Sequence, residues 1–377
     1  MKILERVTEQ LIRQHVHINE MQFGFMPGRG TIDAIFIIRQ LQEKHLAANK
    51  TLYMAFVDLE KVFDRVPRNV IWWAMRKLSV EEWLVQMVQS MYSDARSRVC
   101  VGDGYSDAFK VGVGVHQGSV LSPLLFIIVL EALSLELRTG CPWELLYADD
   151  LAIVDNSLEA LVDRITTWKK GMEAKSLRVN MGKTKVMIAG SNLNSLRRSG
   201  KHPCSVCLSG TGRNSIFCTN CSCWVHKNCS GIKGPLRPDP QYSCPRCMGT
   251  ARPIDGRPVS EVEVEGDTLD VVADFCYLGD TMSSSGGCEL AAITRCKSAW
   301  KKFRELLPIL TNKQLPATIR GQVYSSCVRS VMLYGSEMWA TSASTVKRLQ
   351  RNDRAMIRWT CLVKPEDDIP FETLQYS

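Results

Sequence analysis

Three carboxylates lie at the ends of apolar segments in this sequence. Asp149 and Asp150 are adjacent at the centre of Trp143–Asp155, WELLYADDLAIVD, where apolar residues on both sides predict two strands joined by a tight turn. Asp58 lies near the end of Thr51–Leu59, TLYMAFVDL, which is also predicted to be a strand. Adjacent carboxylates at the tip of a buried hairpin repel each other and raise each other's pKa. A metal ion that neutralises them is therefore the most economical explanation.

The chemistry of these acids depends on whether the two strands are neighbours. If they lie side by side, Asp58 and Asp149 face one point and can hold two Mg²⁺ ions about 3.5–4 Å apart. Such a pair of ions favours an in-line displacement at phosphorus, because it stabilises the attacking and the leaving oxygen. The sequence thus predicts a two-metal site for phosphorus chemistry.

A second group of metal-ligating residues lies between Cys204 and Cys247, a segment that holds eight of the 15 cysteines. The ligand types form four pairs, each with two intervening residues: Cys204 and Cys207, Cys218 and Cys221, His226 and Cys229, and Cys244 and Cys247. Seven cysteines and one histidine supply two complete tetrahedral zinc sets, with no open position for a catalytic water. The other seven cysteines are scattered singly. This distribution predicts structural zinc in a reducing compartment rather than a disulfide scaffold.

Length and composition predict a soluble globular protein of two or three domains. The chain has 377 residues, of which 45% are hydrophobic, and its net charge of +8 weakly favours a polyanionic partner. The N-terminal sequence MKILERVTEQLIRQ carries charges throughout, which is not typical of a secretory signal. The most apolar run, Val120–Leu130, is interrupted by Ser122 and Pro123 and is too short to span a bilayer. We therefore expect no membrane segment.

Three motifs occur in a fixed order: FVDLEKVFDRVP around Asp58, HQGSVLSPLLF from His116, and YADD at Tyr147–Asp150. In this order they resemble the reverse transcriptases of non-LTR retrotransposons of the long interspersed element type. The resemblance covers most of the chain outside the cysteine-rich segment. It implies an α+β right-hand polymerase with fingers, palm and helical thumb. It also implies two catalytic Mg²⁺ ions held by Asp58 and Asp149 with Asp150 in support, an RNA template, a DNA primer and deoxynucleoside triphosphates.

The same resemblance implies roles for residues around the acids. Arg29, in GFMPGRGT, lies on the fingers side of the nucleotide site, with a solvated arginine in a plain glycine turn as the alternative. Gln117 lines the base and template side, and Gly118 lets the backbone approach the nucleotide closely. Phe63 is the steric gate that favours deoxynucleotides, or else a core aromatic. Lys183, in NMGKTK, helps the pyrophosphate to leave, or else is an ordinary surface lysine.

The cysteine-rich segment resembles a plant homeodomain (PHD) finger, a small cross-braced fold whose zinc ligands interleave. The resemblance implies one zinc site of Cys204, Cys207, His226 and Cys229, and a second of Cys218, Cys221, Cys244 and Cys247. Cys223 is then surplus. Asp239 is the only acid in this segment, against five basic residues. We therefore expect contact with nucleic acid or a protein-interaction role, including chromatin.

Periodicity predicts the elements that position these residues. Before the finger we expect helices at Met1–Gln14, Thr31–His45, Asn69–Tyr92 and from Ser119 through Leu137. A further helix is capped by Asn156 and Glu159 and ends near Ser176. We also expect a hairpin in Arg96–Val115 and a strand over Leu177–Ala189. After the finger we expect strands in Val262–Leu278, which ends in the primer-grip-like FCYLG, then helices from Glu289 and through Gln314–Tyr334. In the last helix Arg348, Arg351, Arg354 and Arg358 form one basic stripe that would contact phosphates.

The predicted domains are partial fingers and palm at 1–190, a linker at 191–203, the finger at 204–248, a linker at 249–261, and the end of the palm with the thumb at 262–377. The chain begins just before GFMPGRGT, without the earlier fingers segment and the upstream endonuclease that the resemblance implies, so we expect a fragment of a larger element. The predicted function is RNA-directed DNA polymerase, a nucleotidyltransferase, in the nucleus. The alternatives are a domesticated binding module acting through the finger and the basic thumb, and a remnant without activity.

Overall fold

The computed structural model describes residues 2–102, 104–138, 144–190, 204–206, 211, 214–236, 241–248 and 261–363. The strands are β1 (Leu52–Val57), β2 (Arg96–Ser97), β3 (Cys100–Val101), β4 (Gly104–Tyr105), β5 (Phe109–Lys110), β6 (Glu144–Tyr147), β7 (Asp150–Asp155), β8 (Lys185–Ala189), β9 (Ser215–Cys218), β10 (Cys223–His226), β11 (Glu261–Val264), β12 (Asp267–Asp270), β13 (Asp274–Tyr277) and β14 (Asp280–Ser283). The helices before the finger are α1 (Lys2–His15), α2 (Thr31–Ala47), α3 (Val62–Arg65), α4 (Arg68–Lys77), α5 (Glu82–Tyr92), α6 (Ser122–Leu137) and α7 (Leu158–Glu173). The mixture of helices and sheets confirms the predicted α+β class.

The centre of the molecule is an antiparallel sheet in the order β6-β7-β1-β8. Its strands are apolar along most of their length, and alternate residues enter two different cores. Ala55 and Val57 lie in the core that holds α4, α5, α6 and α7. Leu52, Met54 and Phe56 lie in the core that holds α2 and the hairpin β13-β14. Because both faces are covered, these strands lack a polar face in the sequence.

Every residue of helix α6 from Leu124 to Ser134 is buried. Its sequence, SPLLFIIVLEALSLEL, has no polar stripe, as expected for a helix that is enclosed in the core. Pro123 occupies the first turn, where its missing N–H costs no hydrogen bond. The predicted helix is therefore confirmed, together with the predicted hairpin that follows it.

Two predicted helices before the finger differ in detail. The apolar pattern of helix α2 predicts Ile32, Ile35, Phe36, Ile38 and Leu41 in the core. Ile35 and Ile38 are buried, but Ile32 and Phe36 are 37% and 46% exposed. The predicted helix Asn69–Tyr92 is two helices, α4 and α5, because the chain turns at Ser79, whose φ is 60°. These errors reflect tertiary packing, which decides how wide a buried stripe is.

Three further predicted elements differ in their boundaries or regularity. Helix α7 is capped by Ser157 rather than by Asn156, since the Ser157 hydroxyl accepts from the Ala160 amide at 3.2 Å. The predicted strand Leu177–Ala189 is regular only over β8. The residues before it form an isolated bridge, in which Val179 pairs with Leu59, and then a turn. In the predicted hairpin Arg96–Val115, the strands are four short segments of two residues each, β2 to β5.

The chain after the finger contributes two hairpins, β11-β12 and β13-β14, and then helices. Within 261–363 the helical segments are Glu289–Glu305, Leu307–Leu310, Ala317–Val323, the π-helix Tyr324–Arg329, Ser330–Leu333, the 3-10 turn Ser336–Met338, and Ala343–Cys361. The predicted helix Gln314–Tyr334 is thus confirmed as a continuous helical run from Ala317 to Leu333, whose centre, Tyr324–Arg329, is π-helical. Arg348, Arg351 and Arg354 are exposed on the last helix.

The predicted linkers 191–203 and 249–261 lie outside the described residues, except Glu261, which already begins β11. Residues 364–377 of the predicted thumb are also outside them. Among the described helices, none is long and apolar enough to cross a membrane.

A buried ion pair joins α2 to the hairpin that follows the finger. The Arg39 guanidinium donates to Asp280 Oδ2 through Nε at 3.0 Å and Nη2 at 2.7 Å, and the two side chains are 2% and 0% exposed. Replacing Arg39 by methionine would leave the Asp280 carboxylate buried without its partner. We expect the free energy of unfolding to fall by about 3–5 kcal/mol, measured by urea denaturation.

The matched control for this substitution is Arg65→Met. Arg65 pairs with Glu60 at 2.8 Å, but the side chains are 50% and 38% exposed. We expect that control to lose less than about 1 kcal/mol, because solvent screens an exposed pair. Equal losses in the two variants would contradict a special role for the buried pair.

Candidate polymerase active site and zinc centres

The three predicted acids lie at one end of the central sheet. Asp58 follows the last residue of β1, and Asp150 begins β7. Because Val57 pairs with Leu151, the next step of the register places Asp58 beside Asp150. Asp149 lies in the two-residue turn between β6 and β7. The antiparallel pairing of β1 with β7 therefore brings the predicted acids together.

Asp58 has a carboxylate oxygen without a hydrogen bond. Its Oδ2 atom is buried and has no hydrogen-bond partner among the described residues. Lys183 Nζ lies 3.7 Å from this oxygen, and the lysine side chain is 72% exposed. The Asp58 backbone is held in place, since its amide donates to Thr184 Oγ1 at 3.4 Å and its carbonyl accepts from the Asn180 amide at 2.8 Å. A buried carboxylate oxygen without a hydrogen-bond donor, carried on a backbone that is held in place, fits a metal ligand.

Burial and mutual repulsion act on the other two acids. Burial raises the pKa of the Asp149 carboxyl, and Asp58 raises it further, although the Asp149 backbone amide opposes the change. Burial, Asp149 and Asp58 together raise the pKa of Asp150 to about 6. A divalent cation would neutralise the repulsion between these carboxylates, so the donor set fits Mg²⁺. Among the described residues, no set of three carboxylate oxygens, one each from Asp58, Asp149 and Asp150, lies within 4.8 Å of one another. One ion could therefore contact all three acids only after side-chain rotation.

A cleft of about 370 Å³ opens beside the acids. Asp58, Asp150 and Lys183 line one side, and Phe275 to Gly279, the predicted primer-grip segment, line the other. Phe275 stacks on Phe56 of β1, with ring centroids 4.4 Å apart and planes 12° apart. This stacking holds the predicted primer-grip segment against the acids.

Tyr277 is a residue of this cleft that the sequence reasoning missed. Its side chain is 2% exposed, and its hydroxyl has no partner among the described residues. Burial and the nearby Asp150 carboxylate raise the pKa of the Tyr277 hydroxyl. The sequence indicates Tyr277 only through its place in the primer-grip-like FCYLG motif. That motif does not show that the Tyr277 ring turns toward the acids.

Asp150→Asn is expected to stabilise the metal-free protein. The folded-state pKa of Asp150 is raised, so its contribution to stability is fully present below the unfolded pKa of about 4 and is lost as pH rises through about 6. At pH 8 we expect the asparagine to raise the free energy of unfolding by about 1–2 kcal/mol after solvent screening, and to give no gain at pH 4. Urea denaturation at both pH values measures this. Asp163→Asn, at an exposed position of α7, is the control and should change little at either pH.

The predicted nucleotide-side residues Phe63, Gln117 and Gly118 are brought near one another by backbone pairing. The Val115 amide donates to the Phe63 carbonyl at 2.8 Å. Gln117 Nε2 donates to Asp64 Oδ1 at 2.6 Å, and the Gln117 side chain is exposed. Gly118 has a φ of 79°, in the left-handed region that favours glycine. Asp64 therefore orients Gln117.

Phe63 is half-buried. Its ring lies 4.5 Å from that of Phe126 in α6 and 6.3 Å from that of Phe25 in the GFMPGRGT loop.

Gly114 is a further residue that the sequence reasoning missed. A Cβ at Gly114 would lie 2.6 Å from the Asp64 carbonyl oxygen, so only glycine permits this approach beneath Phe63.

Arg29 contacts its own loop. Its guanidinium donates to the carbonyl oxygens of Glu20 and Gln22 and lies 5.1 Å from the centroid of the Phe23 ring. The phosphate contact that the sequence implies for Arg29 remains a prediction.

The finger residues form two candidate zinc centres. The sulfurs of Cys218, Cys221, Cys244 and Cys247 lie within 4.8 Å of one another, as the resemblance implied. Cys204, His226 and Cys229 form a second group within the same limit, and its fourth predicted ligand, Cys207, lies outside the described residues. The two groups alternate along the chain, which is the interleaved order that was predicted. The chemistry of these donors fits tetrahedral Zn²⁺.

Comparison with known proteins identifies the families of the two parts of the chain. Residues 1–222 match the family model of reverse transcriptase (RNA-dependent DNA polymerase), and residues 204–247 match the PHD-finger model. The chain is 24% identical over 372 residues to the probable RNA-directed DNA polymerase from transposon BS of Drosophila melanogaster, covering 94% of this chain and 34% of that protein. It is 28% identical over 200 residues to the RNA-directed DNA polymerase from mobile element jockey of Drosophila funebris, covering 48% and 21% of the two chains.

The chain thus spans about a third or less of these two relatives. Among solved structures, telomerase from Candida albicans matches with 12% identity and a TM-score of 0.43, covering 100% of this chain and 58% of that one. Since the reverse-transcriptase match extends over more than half of the sequence, the chain belongs to the reverse transcriptase (RNA-dependent DNA polymerase) family and carries a PHD finger.

Proposed function

We propose that this chain is the partial fingers, palm and thumb of a non-LTR retrotransposon polymerase, and that it copies RNA into DNA by nucleotidyl transfer. The observation that carries the proposal is the end of the central sheet, where Asp58 presents a buried oxygen without a donor among the described residues, beside Asp150 and next to the Asp149 turn. Family membership supports the same activity. An RNA template, a DNA primer and deoxynucleoside triphosphates are the proposed substrates.

Asp58 and Asp149 would hold two Mg²⁺ ions, with Asp150 in support. When bound, the ions would neutralise charge on the attacking and leaving oxygens. The primer 3′-oxygen would form a bond to the α-phosphorus and release its proton to solvent, while the bond between that phosphorus and the pyrophosphate oxygen breaks and pyrophosphate leaves. Lys183, exposed beside Asp58, can place its ammonium on the departing pyrophosphate. Positioning and charge neutralisation would supply most of the rate enhancement.

The residues around the acids would select the nucleotide. The ring of Phe63, held between Phe25 and Phe126, would occupy the space of a ribose 2′-hydroxyl. Gln117 would line the base and template side, Gly118 would let the backbone approach the nucleotide closely, and Arg29 would lie on the fingers side. The 275–279 segment would support the primer end across the 370 Å³ cleft.

The finger would hold two structural Zn²⁺ ions. One would be bound by Cys204, Cys207, His226 and Cys229, and the other by Cys218, Cys221, Cys244 and Cys247. Phe217 and Trp224 pair edge to face at 5.3 Å on its surface, where Phe217 is 40% exposed. Together with the basic composition of the segment, this favours contact with nucleic acid or with a protein of chromatin, and hence a nuclear location.

The test is primer extension by the purified chain on an RNA template with Mg²⁺ and deoxynucleotides, beside Asp149→Ala. Extension that disappears in the variant supports the proposal. A folded, zinc-loaded chain that does not extend primers contradicts it.

The second candidate function is a binding module without polymerase activity. It is favoured by the exposed Arg348, Arg351 and Arg354 on one face of the last helix. Salt-dependent binding of an RNA–DNA duplex by a chain that shows no extension would support this alternative.

A further inference from the structure

A buried glutamine lies behind the turn that carries Asp149. Gln22 is 0% exposed, in a segment that runs parallel to β6. The Phe23 amide donates to the Leu146 carbonyl at 2.8 Å, and the Leu146 amide donates to the Met21 carbonyl at 2.9 Å. The segment 21–23 therefore extends the central sheet beyond β6 and ends at the level of the turn.

The turn itself has an unusual backbone. Ala148 has a φ of 53°, in the left-handed region that costs a residue with a Cβ about 1 kcal/mol or more. Ala148 is also only 4% exposed, so its backbone N–H needs a hydrogen-bond acceptor from the protein rather than from water. Gln22 Oε1 accepts from this amide at 3.3 Å and from the Gly24 amide at 3.0 Å. One side-chain oxygen thus joins the segment to the turn.

The backbone of Gly24 lies directly against the same turn. A Cβ at Gly24 would lie 2.2 Å from the Ala148 nitrogen and 2.9 Å from the Tyr147 carbonyl carbon. Only glycine allows this approach. On the other side of the segment, Arg29 binds the carbonyl oxygens of Glu20 and Gln22. The position of Gln22 is therefore set from both sides.

We propose that Gln22 is a positioning residue for the polymerase acids. Its side-chain oxygen holds Ala148 in the left-handed conformation, and this conformation places the backbone of Asp149 and Asp150 beside Asp58. The consequence for catalysis depends on the proposed polymerase function, whereas the contact between Gln22 and the turn does not. The GFMPGRGT region thus has a structural task at the acids in addition to any contact with the nucleotide.

Gln22→Met, compared with a matched control, separates positioning from stability. Methionine has a similar shape, and Gln22 Nε2 is buried without a partner among the described residues, so the change also removes an unsatisfied donor. Because methionine also leaves the buried amides of Ala148 and Gly24 without their acceptor, we expect the melting temperature to fall, and the control must remove a buried hydrogen bond as well. Gln42→Met is the matched control, because Gln42 is 1% exposed and donates to the Ser283 carbonyl at 2.6 Å, away from the acids.

Hydrogen–deuterium exchange of peptides covering 145–152 is the first readout. In Gln22→Met we expect exchange of the Ala148 amide to rise about tenfold, since a buried hydrogen bond contributes about 1–1.5 kcal/mol. The second readout is the Mg²⁺ concentration for half-maximal primer extension, which we expect to rise about five- to tenfold while the KM for deoxynucleotides stays within about twofold. Gln42→Met should change neither quantity.

Ala148→Gly in the Gln22→Met background provides a rescue. Glycine adopts the left-handed conformation at no steric cost, so the turn then depends less on the glutamine. We expect the Mg²⁺ requirement to return part of the way to that of the wild type. Wild-type exchange and wild-type Mg²⁺ dependence in Gln22→Met would overturn the proposal. If the wild-type chain extends no primer, the polymerase function fails, and the exchange measurement still decides whether Gln22 holds the turn.

Discussion

Asp58→Asn is expected to lower the rate of primer extension by about a thousandfold or more while leaving the chain folded. The Oδ2 atom of the Asp58 carboxylate is buried and has no hydrogen-bond donor among the described residues. The asparagine keeps the shape but removes the charge that would hold a cation. Because Asp58 raises the pKa values of Asp149 and Asp150 by repulsion, its neutralisation should not destabilise the metal-free protein.

Single-turnover extension with saturating primer and template measures the effect, and the melting temperature shows that the fold is retained. Glu60→Gln is the matched control, since Glu60 lies two residues further along the chain and forms an exposed pair with Arg65. It should keep its rate within about threefold of the wild type. A rate for Asp58→Asn within tenfold of the wild type would place the catalytic acids elsewhere.

Cys244→Ser is expected to abolish zinc binding at one centre and to unfold much of the finger. Cys244 is fully buried, its sulfur lies 3.8 Å from that of Cys221, and its amide donates to Cys218 Sγ at 3.2 Å. A structural zinc ion supplies about 10–16 kcal/mol to the folding of such a small unit, which its short core cannot replace. Metal analysis should fall from two zinc ions per chain to one or none, and limited proteolysis should cut within 204–247.

Cys223→Ser is the control for this loss. Cys223 belongs to neither ligand group, and its thiol donates to the Cys221 carbonyl at 3.2 Å. It should retain both zinc ions. The palm should keep its melting transition in both variants, because the finger residues form a hydrophobic cluster separate from those of the palm and thumb. Retention of two zinc ions by Cys244→Ser would contradict the proposed ligand set.

Features that depend on short stretches of sequence were predicted correctly. The acids at the ends of apolar strands, the buried helix α6 and the alternating ligand pairs of the finger each have a signature within a few residues. Local sequence does not distinguish two neighbouring residues that could both cap a helix. Asn156 and Ser157 are both good helix caps, and only the structure shows that Ser157 takes that position.

Residue type, spacing and periodicity predict the family, the fold class and most of the elements, because these features are local to short segments. Which distant groups meet depends on the folded chain. Gln22 and Ala148 are 126 residues apart, and Arg39 and Asp280 are 241 apart. Nothing in the local pattern around Gln22 or Gly24 indicates a partner in the Asp149 turn. Such contacts arise only when strand pairing brings separate segments to one end of the sheet, where burial makes every unpaired polar group costly.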